Sequence, residues 1–218
     1  MVHHTAQDDT EHKDNKPLAC RKSPMTDYYF DIETAPRDPN DPNEKANLDP
    51  KTGKIITIQY QKVDPKTGMP IAPLTILKEW EKESSEQIIL EKFKPLITCR
   101  CWDFIPLGYN LWFEFKFLKH KFKEYFNIDF PAENFIGRPK NDLHLIGVIL
   151  NEGNFKGATL DSFTDKEHGG SKVPIWYREK NYNAIVDYVE KETNAFLRFW
   201  QRIKKELPLM FPRKTMQT

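Results

Sequence analysis

The feature that most restricts the fold is an alternating segment that lies between two copies of one pentapeptide. Residues 54–63, KIITIQYQKV, predict a β-strand, and DPKTG precedes it at 49–53 and follows it at 64–68. In this pentapeptide proline suits the second position of a type I turn, and glycine suits the left-handed position that follows. The second copy therefore predicts a hairpin to another strand at 69–78, which its prolines assign to an edge of the sheet. The alternation assigns these side chains to opposite faces of the strand: Ile55, Thr57, Gln59 and Gln61 to one, and Ile56, Ile58, Tyr60 and Lys62 to the other.

The other segments predict helices and two further strands. DYYFDIE at 27–33 is short, aromatic and β-branched, which is typical of a strand, and the proline-rich stretch 35–53 predicts a loop. A strand is also predicted at 102–110, and helices at 84–97, 111–126, 142–150 and 182–207. Three antiparallel strands followed by helices and a further strand favour an α/β fold, with a mixed sheet flanked by helices.

Composition excludes several classes of protein. The 218 residues carry 33 Lys+Arg against 32 Asp+Glu, which excludes a histone-like protein, and 13% aromatic residues indicate an ordered interior. No apolar run reaches the roughly 18 residues that span a bilayer, and the polar start lacks a signal-peptide core, so we expect a cytoplasmic protein. Three cysteines do not make a paired disulfide framework. We expect one domain over 25–210, a disordered leader over 1–24 and a tail over 211–218.

Two carboxylates on the first predicted strand are the clearest chemical signal. Asp31 and Glu33 lie two residues apart, so their side chains share a face with Tyr29, while Phe30 and Ile32 point to the other face. Adjacent carboxylates on a buried strand repel each other and resist desolvation. A hard divalent cation such as Mg²⁺ or Mn²⁺ removes both problems. A strand end that is exposed to water explains the same spacing, and the spacing alone does not separate the two interpretations.

Two further motifs follow in the chain. GYNLWFEFKFL has a Gly-x-Asn turn before a helix, with Glu114 four residues after Asn110, and YVEKE has Glu192 four residues after Tyr188. Together with FDIET, this order resembles the three motifs of the tyrosine (DEDDy) branch of the DnaQ-like 3′–5′ exonucleases, within the ribonuclease H-like superfamily. The segment that leads into the third motif is also similar to the exonuclease domains of family B DNA polymerases. No histidine stands in the place of Tyr188, which disfavours the histidine branch.

The resemblance implies a ribonuclease H-like fold and two-metal hydrolysis of phosphodiester bonds, with nucleoside 5′-monophosphates released from a 3′ end. The two ions, Mg²⁺ or Mn²⁺, would be held by four carboxylates. Asp31 would bridge both ions, Glu33 and Glu192 would hold the first, and Glu114 would hold the second through water. Tyr188 would orient the attacking water. These five side chains are the implied catalytic residues.

Substrate contacts are indicated less sharply. The resemblance implies that Asn110 positions the strand end, and Thr34, which ends the first motif, is a further substrate-binding candidate. Lys116 belongs to a basic cluster on one predicted helix. A second basic cluster, on the last predicted helix, contains Arg198, Arg202, Lys204 and Lys205, and either cluster can follow phosphates. Ordinary solvated helix faces explain both clusters at least as well. Trp176 and Tyr177 can either stack on a base or pack in the core.

The chain departs from the family at two ligands. Glu114 and Glu192 stand where the family has aspartate, and each adds one methylene. Because Mg²⁺ demands near-ideal octahedral geometry, we expect better activity with Mn²⁺. Three functions follow: a stand-alone exonuclease that acts on single-stranded 3′ ends, a catalytically silent module that binds nucleic acid or a protein, or a proofreading subunit with a polymerase or repair partner.

Overall fold

A computed structural model describes residues 26–41, 43, 45–99, 103–129, 137–165 and 170–210. The strands in these ranges are Asp27–Pro36 (β1), Gly53–Val63 (β2), Thr75–Lys78 (β3), Ile105–Gly108 (β4) and Asn141–Asp142 (β5). The α-helices are Glu86–Thr98 (α1), Trp112–Phe126 (α2), His144–Leu150 (α3), Val173–Arg178 (α4) and Tyr182–Met210 (α5). None of these described helices is long and apolar enough to cross a lipid bilayer.

The strands form one mixed sheet in the order β3-β2-β1-β4-β5. The first three strands pair antiparallel, whereas β4 runs parallel to β1 and β5 runs parallel to β4. The prediction of an α/β mixed sheet that begins with three antiparallel strands is confirmed, and the arrangement is ribonuclease H-like. Strand β1 is central, so both of its faces are covered by helices.

The two faces of β1 belong to different parts of the core. Phe30 and Ile32 pack with residues of α1 and α2, while Tyr29 and Ala35 pack with residues of α5. This separation confirms the predicted alternation along β1. It also means that the face carrying the odd-numbered side chains of β1 lies beneath α5.

A β-bulge changes the alternation along β2. Glu33 pairs with Thr57, but the next residue, Thr34, pairs with Ile55. Ile55 then packs in the core beneath α1 and α2, and Ile56 packs beneath α5. The predicted faces of Ile55 and Ile56 were therefore both wrong, because an extra residue shifts the two-residue period at this point. The bulge directly follows Glu33.

The hairpin turn after β2 is confirmed, but the strand that follows is shorter than predicted. Gly68 has a φ of 76°, and its N–H donates to the carbonyl of Asp64 at 2.9 Å. Pairing with β2 resumes only at Thr75, apart from an isolated bridge between Val63 and Pro70. Proline has no N–H to donate, which explains why the predicted strand 69–78 is reduced to its last four residues.

Other elements also differ from the predictions. The fourth strand covers Ile105–Gly108 rather than 102–110, and α3 begins at His144 rather than at residue 142. Asn141 and Asp142 form β5 instead, because they pair with the end of β4. Helix α4, which the sequence did not predict, carries Trp176 and Tyr177, and both pack partly buried beneath α5. The predicted leader 1–24 and tail 211–218 lie outside the described residues.

Candidate active site

Three carboxylates meet on the face of the sheet beneath α5. Asp31 and Glu33 come from β1 and Glu192 comes from α5, and an oxygen from each lies within 4.8 Å of the other two. Helix α5 is held against this face by buried side chains such as Val189 and Phe196. All three carboxylates are half-buried, so their mutual repulsion is screened by water less than it would be at the surface. A divalent cation between them would remove that repulsion.

Asp31 is held in one orientation by neutral donors. One of its oxygens, Oδ2, accepts from Gln59 Nε2 at 3.1 Å and from the Tyr29 hydroxyl at 3.3 Å. The other oxygen accepts from the N–H of Ile32 at 2.9 Å. Gln59 is itself fixed by the Thr57 hydroxyl, which donates to its Oε1 at 2.8 Å. This support was not predicted from the sequence, although a glutamine on a buried strand that pairs with β1 was the available signal.

Glu114 lies in the first turn of α2 and is the most buried of the four predicted ligands, with 4% of its surface exposed. Burial, and after it the charge of Asp31, raise the pKa of the Glu114 carboxyl well above its usual range. The two carboxyl groups are hydrogen-bonded. The Oε2 atom of Glu114 is buried without a hydrogen-bond partner among the described residues. Such an atom is rare in folded proteins and is expected where a cation or its water supplies the missing contact.

The loop before α2 is fixed by a residue that the sequence analysis did not single out. The carboxylate of Asp142, at the end of β5, accepts from the N–H of Asn110 at 2.8 Å and from the N–H of Leu111 at 3.0 Å. Asn110 adopts a left-handed φ of 62°. A side chain at Gly108 would meet the carbonyl oxygen of Phe30 at 2.9 Å, so glycine is required there. Together these contacts set where α2 begins, and hence where Glu114 lies.

Tyr188 lies beside the carboxylates, one helical turn before Glu192. Its side chain is 9% exposed, and its hydroxyl is hydrogen-bonded to Glu192. Burial first, and then the charges of Glu33 and Glu192, raise the pKa of the Tyr188 phenol. The phenol therefore stays protonated at physiological pH and serves as a hydrogen-bond donor rather than as a base.

Two of the three predicted substrate-binding residues point away from the carboxylates. Thr34 is 5% exposed, and the alternation along β1 points it away from Glu33. Lys116 is exposed and lies two residues after Glu114, on the opposite side of α2. Asn110 is exposed at the start of the helix. Their roles in substrate binding stay predictions.

Three cations of the predicted cluster on α5 are engaged within the protein. Arg198 pairs with Asp165 at 2.7 Å, and Arg202 pairs with Glu206 at 3.0 Å. The ammonium group of Lys204 donates to the carbonyl of Pro65 at 2.7 Å. These contacts favour the interpretation of this cluster as an ordinary helix surface.

Comparison with known proteins gives similarity of fold but not of sequence. No protein-family profile matches the chain, and no curated protein gives a significant sequence match. Escherichia coli exonuclease I in complex with a dT13 oligonucleotide aligns with a TM-score of 0.56 at 14% identity, over 86% of this chain and 42% of that chain. The zinc-bound form of the E. coli exonuclease I–ssDNA complex gives the same four values. Exonuclease I in complex with the inhibitor BCBP has a TM-score of 0.55 at 14% identity, over 87% of this chain and 43% of that chain. This chain thus spans less than half the length of these structures, and the likeness is one of fold.

Proposed function

We propose that this protein is a metal-dependent 3′–5′ exonuclease that hydrolyses phosphodiester bonds at single-stranded ends of nucleic acid. The observation that carries the proposal is the group of three carboxylates, from β1 and α5, whose oxygens lie within 4.8 Å of one another. Glu114, buried against Asp31, adds a fourth carboxylate. Two of the structures with a similar fold are complexes of exonuclease I with single-stranded DNA, which supports nucleic acid as the substrate class.

The donor set fits Mg²⁺ or Mn²⁺, because every candidate ligand is a carboxylate oxygen. Asp31, Glu33 and Glu192 would hold one ion, and Glu114 with Asp31 would hold a second. The buried Oε2 of Glu114, which has no partner in the described part of the chain, is a donor atom suited to this role. When bound, two such ions stabilise the charge on the attacking and leaving oxygens of a phosphodiester.

The remaining side chains would position the reacting groups. The protonated hydroxyl of Tyr188 can hold the attacking water by a hydrogen bond, since its raised pKa prevents it from acting as a base. Gln59 and Tyr29 would keep Asp31 in the orientation in which it ligates. Asp142 would hold the start of α2, and through it Glu114, at the correct depth.

The proposal is tested by degradation of a 5′-labelled single strand with Mg²⁺ or Mn²⁺. We expect progressive shortening from the 3′ end and release of nucleoside 5′-monophosphates. Asp31→Asn should abolish both, whereas Glu190→Gln, which changes an exposed carboxylate of the same helix as Glu192, should leave them intact. The absence of cleavage with either ion, on DNA and on RNA, would contradict the proposal.

One observation favours a second candidate, a catalytically silent module that binds nucleic acid or a protein. The burial of Glu114 favours its protonated form, and a protonated carboxyl is a poor cation ligand. A silent module would bind single strands without shortening them, and its binding would not change on adding Mn²⁺. The degradation assay, combined with a binding measurement, separates the two functions.

A further inference from the structure

A large cleft lies on the α5 side of the sheet. It has a volume of about 940 Å³ and lies between the connection that joins β1 to β2 and the segment that contains α4. Pro36 and Leu48 line one wall, and Ile175 and Tyr182 line the other. Ligand sites in proteins enclose roughly 300–1,000 Å³, so the cleft is large enough for a sizeable ligand.

Each wall of the cleft is connected to the carboxylate cluster, although none of the four carboxylates is among the described lining residues. Pro36 is the last residue of β1, three residues after Glu33. On the opposite wall, a Cβ placed on Gly170 would lie 3.2 Å from the hydroxyl of Tyr188, the side chain that contacts Glu192, so this wall passes close to Tyr188. A chain lying in the cleft would therefore reach the carboxylates at one end.

The charge of the cleft suits a polyanion. Among the described residues, its lining includes three cations, Lys54, Arg178 and Lys180, against a single acid, Asp41. Lys54 is already engaged, because its ammonium group lies 2.9 Å from the carboxylate of Glu79. Arg178 and Lys180 are exposed, and neither has an ion-pair partner among the residues that the structure describes. Both cations are thus available to phosphate groups.

The wall that carries these two cations is held firmly. The N–H of Lys180 donates to the carbonyl of Tyr177 at 3.0 Å, and the N–H of Asn181 donates to the carbonyl of Trp176 at 2.8 Å. Tyr182 stacks on Trp80 with ring centroids 4.8 Å apart. A preorganised wall loses little conformational entropy on binding, which favours affinity.

We infer that this cleft binds a single strand of nucleic acid next to the scissile bond, with Arg178 and Lys180 contacting its phosphates. The inference rests on the proposed function, since it extends the same site. A single strand is favoured over a duplex because Ile175, which is 43% exposed, and Tyr182 offer apolar and aromatic surface to unstacked bases. In a duplex those base faces are already stacked on one another.

The test measures binding of fluorescein-labelled deoxyuridine and uridine oligonucleotides by fluorescence anisotropy, in EDTA, where no metal-dependent cleavage occurs. The double variant Arg178→Gln with Lys180→Gln should raise Kd about tenfold or more for at least one of the two strands. The slope of log K against log salt should fall by about 1.4, which corresponds to two lost phosphate contacts on a single strand.

A control variant with the same loss of charge is Lys92→Gln with Lys66→Gln. Lys92 is exposed on α1, which covers the other face of the sheet. Lys66 is exposed in the turn after β2, where Gly68 lies next to Trp200, about 27 Å along α5 from Tyr182. This control should bind both strands as the wild type does. A response to one strand alone identifies the sugar that the cleft accepts.

The outcomes separate the cleft from the catalytic proposal. If the cleft variant binds both strands as tightly as the wild type, the inference is wrong, even if the wild type cleaves them. If the control weakens binding as much as the cleft variant does, the effect is one of overall charge and the inference is again wrong. If only the cleft variant loses binding and the wild type cleaves neither strand, the cleft is confirmed as a binding site for a single strand and the exonuclease proposal is wrong.

Discussion

Replacing Glu114 by glutamine should make the metal-free protein more stable at neutral pH. Burial, followed by the charge of Asp31, raises the pKa of the Glu114 carboxyl well above its ordinary value of 4.5. An acid whose pKa is higher in the folded state stabilises the fold when it is protonated. That stabilisation is fully present below the ordinary value and is lost as the pH rises through the raised, folded-state pKa. Glutamine does not ionise, so the substitution removes this loss.

The size of the effect follows from the buried oxygen. The Oε2 atom of Glu114 has no hydrogen-bond partner among the described residues, so ionisation of the carboxyl at high pH leaves a charged oxygen buried and unsatisfied, which costs about 1–3 kcal/mol. Glutamine has nearly the same size, and its amide can donate to Asp31. We therefore expect Glu114→Gln to raise the free energy of unfolding by about 1–3 kcal/mol in EDTA at about pH 8. For a chain of this length, each kcal/mol raises Tm by about 2–4 °C.

The assay is urea and thermal denaturation in EDTA at about pH 8 and at about pH 4. The gain should be present at the higher pH and disappear at the lower one, where the wild-type carboxyl is protonated in both states. Glu190→Gln, an exposed change on α5, should alter stability at neither pH. The prediction is wrong if Glu114→Gln is no more stable than the wild type at the higher pH, or if it is stabilised equally at both pH values.

Three further variants test other parts of the site. Gln59→Leu removes a donor to the central aspartate and should weaken Mn²⁺ binding about 10–100-fold by calorimetric titration; unchanged affinity would show that this hydrogen bond does not support the ligand. Asp142→Ala releases the N–H of Asn110 and should lower the free energy of unfolding by about 1–2 kcal/mol in urea, whereas an unaffected midpoint would mean that water replaces the carboxylate. Glu114→Asp with Glu192→Asp should reduce Mg²⁺-dependent cleavage, because the backbone is adapted to the longer side chains; increased cleavage would indicate instead that the site has drifted from an aspartate ancestor.

The parts of the fold that depend on local sequence were predictable. The alternation along β1 assigned Phe30 and Ile32 to one face and Tyr29 to the other, as the structure has them. The turn formed by the second DPKTG was predictable because such a turn needs a left-handed residue, and its last residue, Gly68, is a glycine with that conformation. Long amphipathic helices such as α5 carry a periodic signal over many residues, and the prediction for 182–207 differs from the structure only at its end.

The features that depend on distant pairing were not predictable in this way. Strand β5 has two residues and exists because they pair with β4. The bulge after Glu33 arises from the register between two strands, so neither strand carries a local signal for it. The carboxylate of Asp142 and the amide of Asn110 are 32 residues apart, and Gln59 is 28 residues from Asp31. Such contacts follow from the assembled sheet rather than from spacing in the chain.

The position of Mn²⁺ in a crystal of the wild-type protein is the most direct test of the carboxylate site. Anomalous difference density should lie at coordination distance, about 2.1 Å, from oxygens of Asp31, Glu33 and Glu192. A crystal of Asp31→Asn grown under the same conditions should lack this density. An absence of density between these three side chains at saturating Mn²⁺, or density bound only to other carboxylates, would contradict the assignment of a metal-dependent active site.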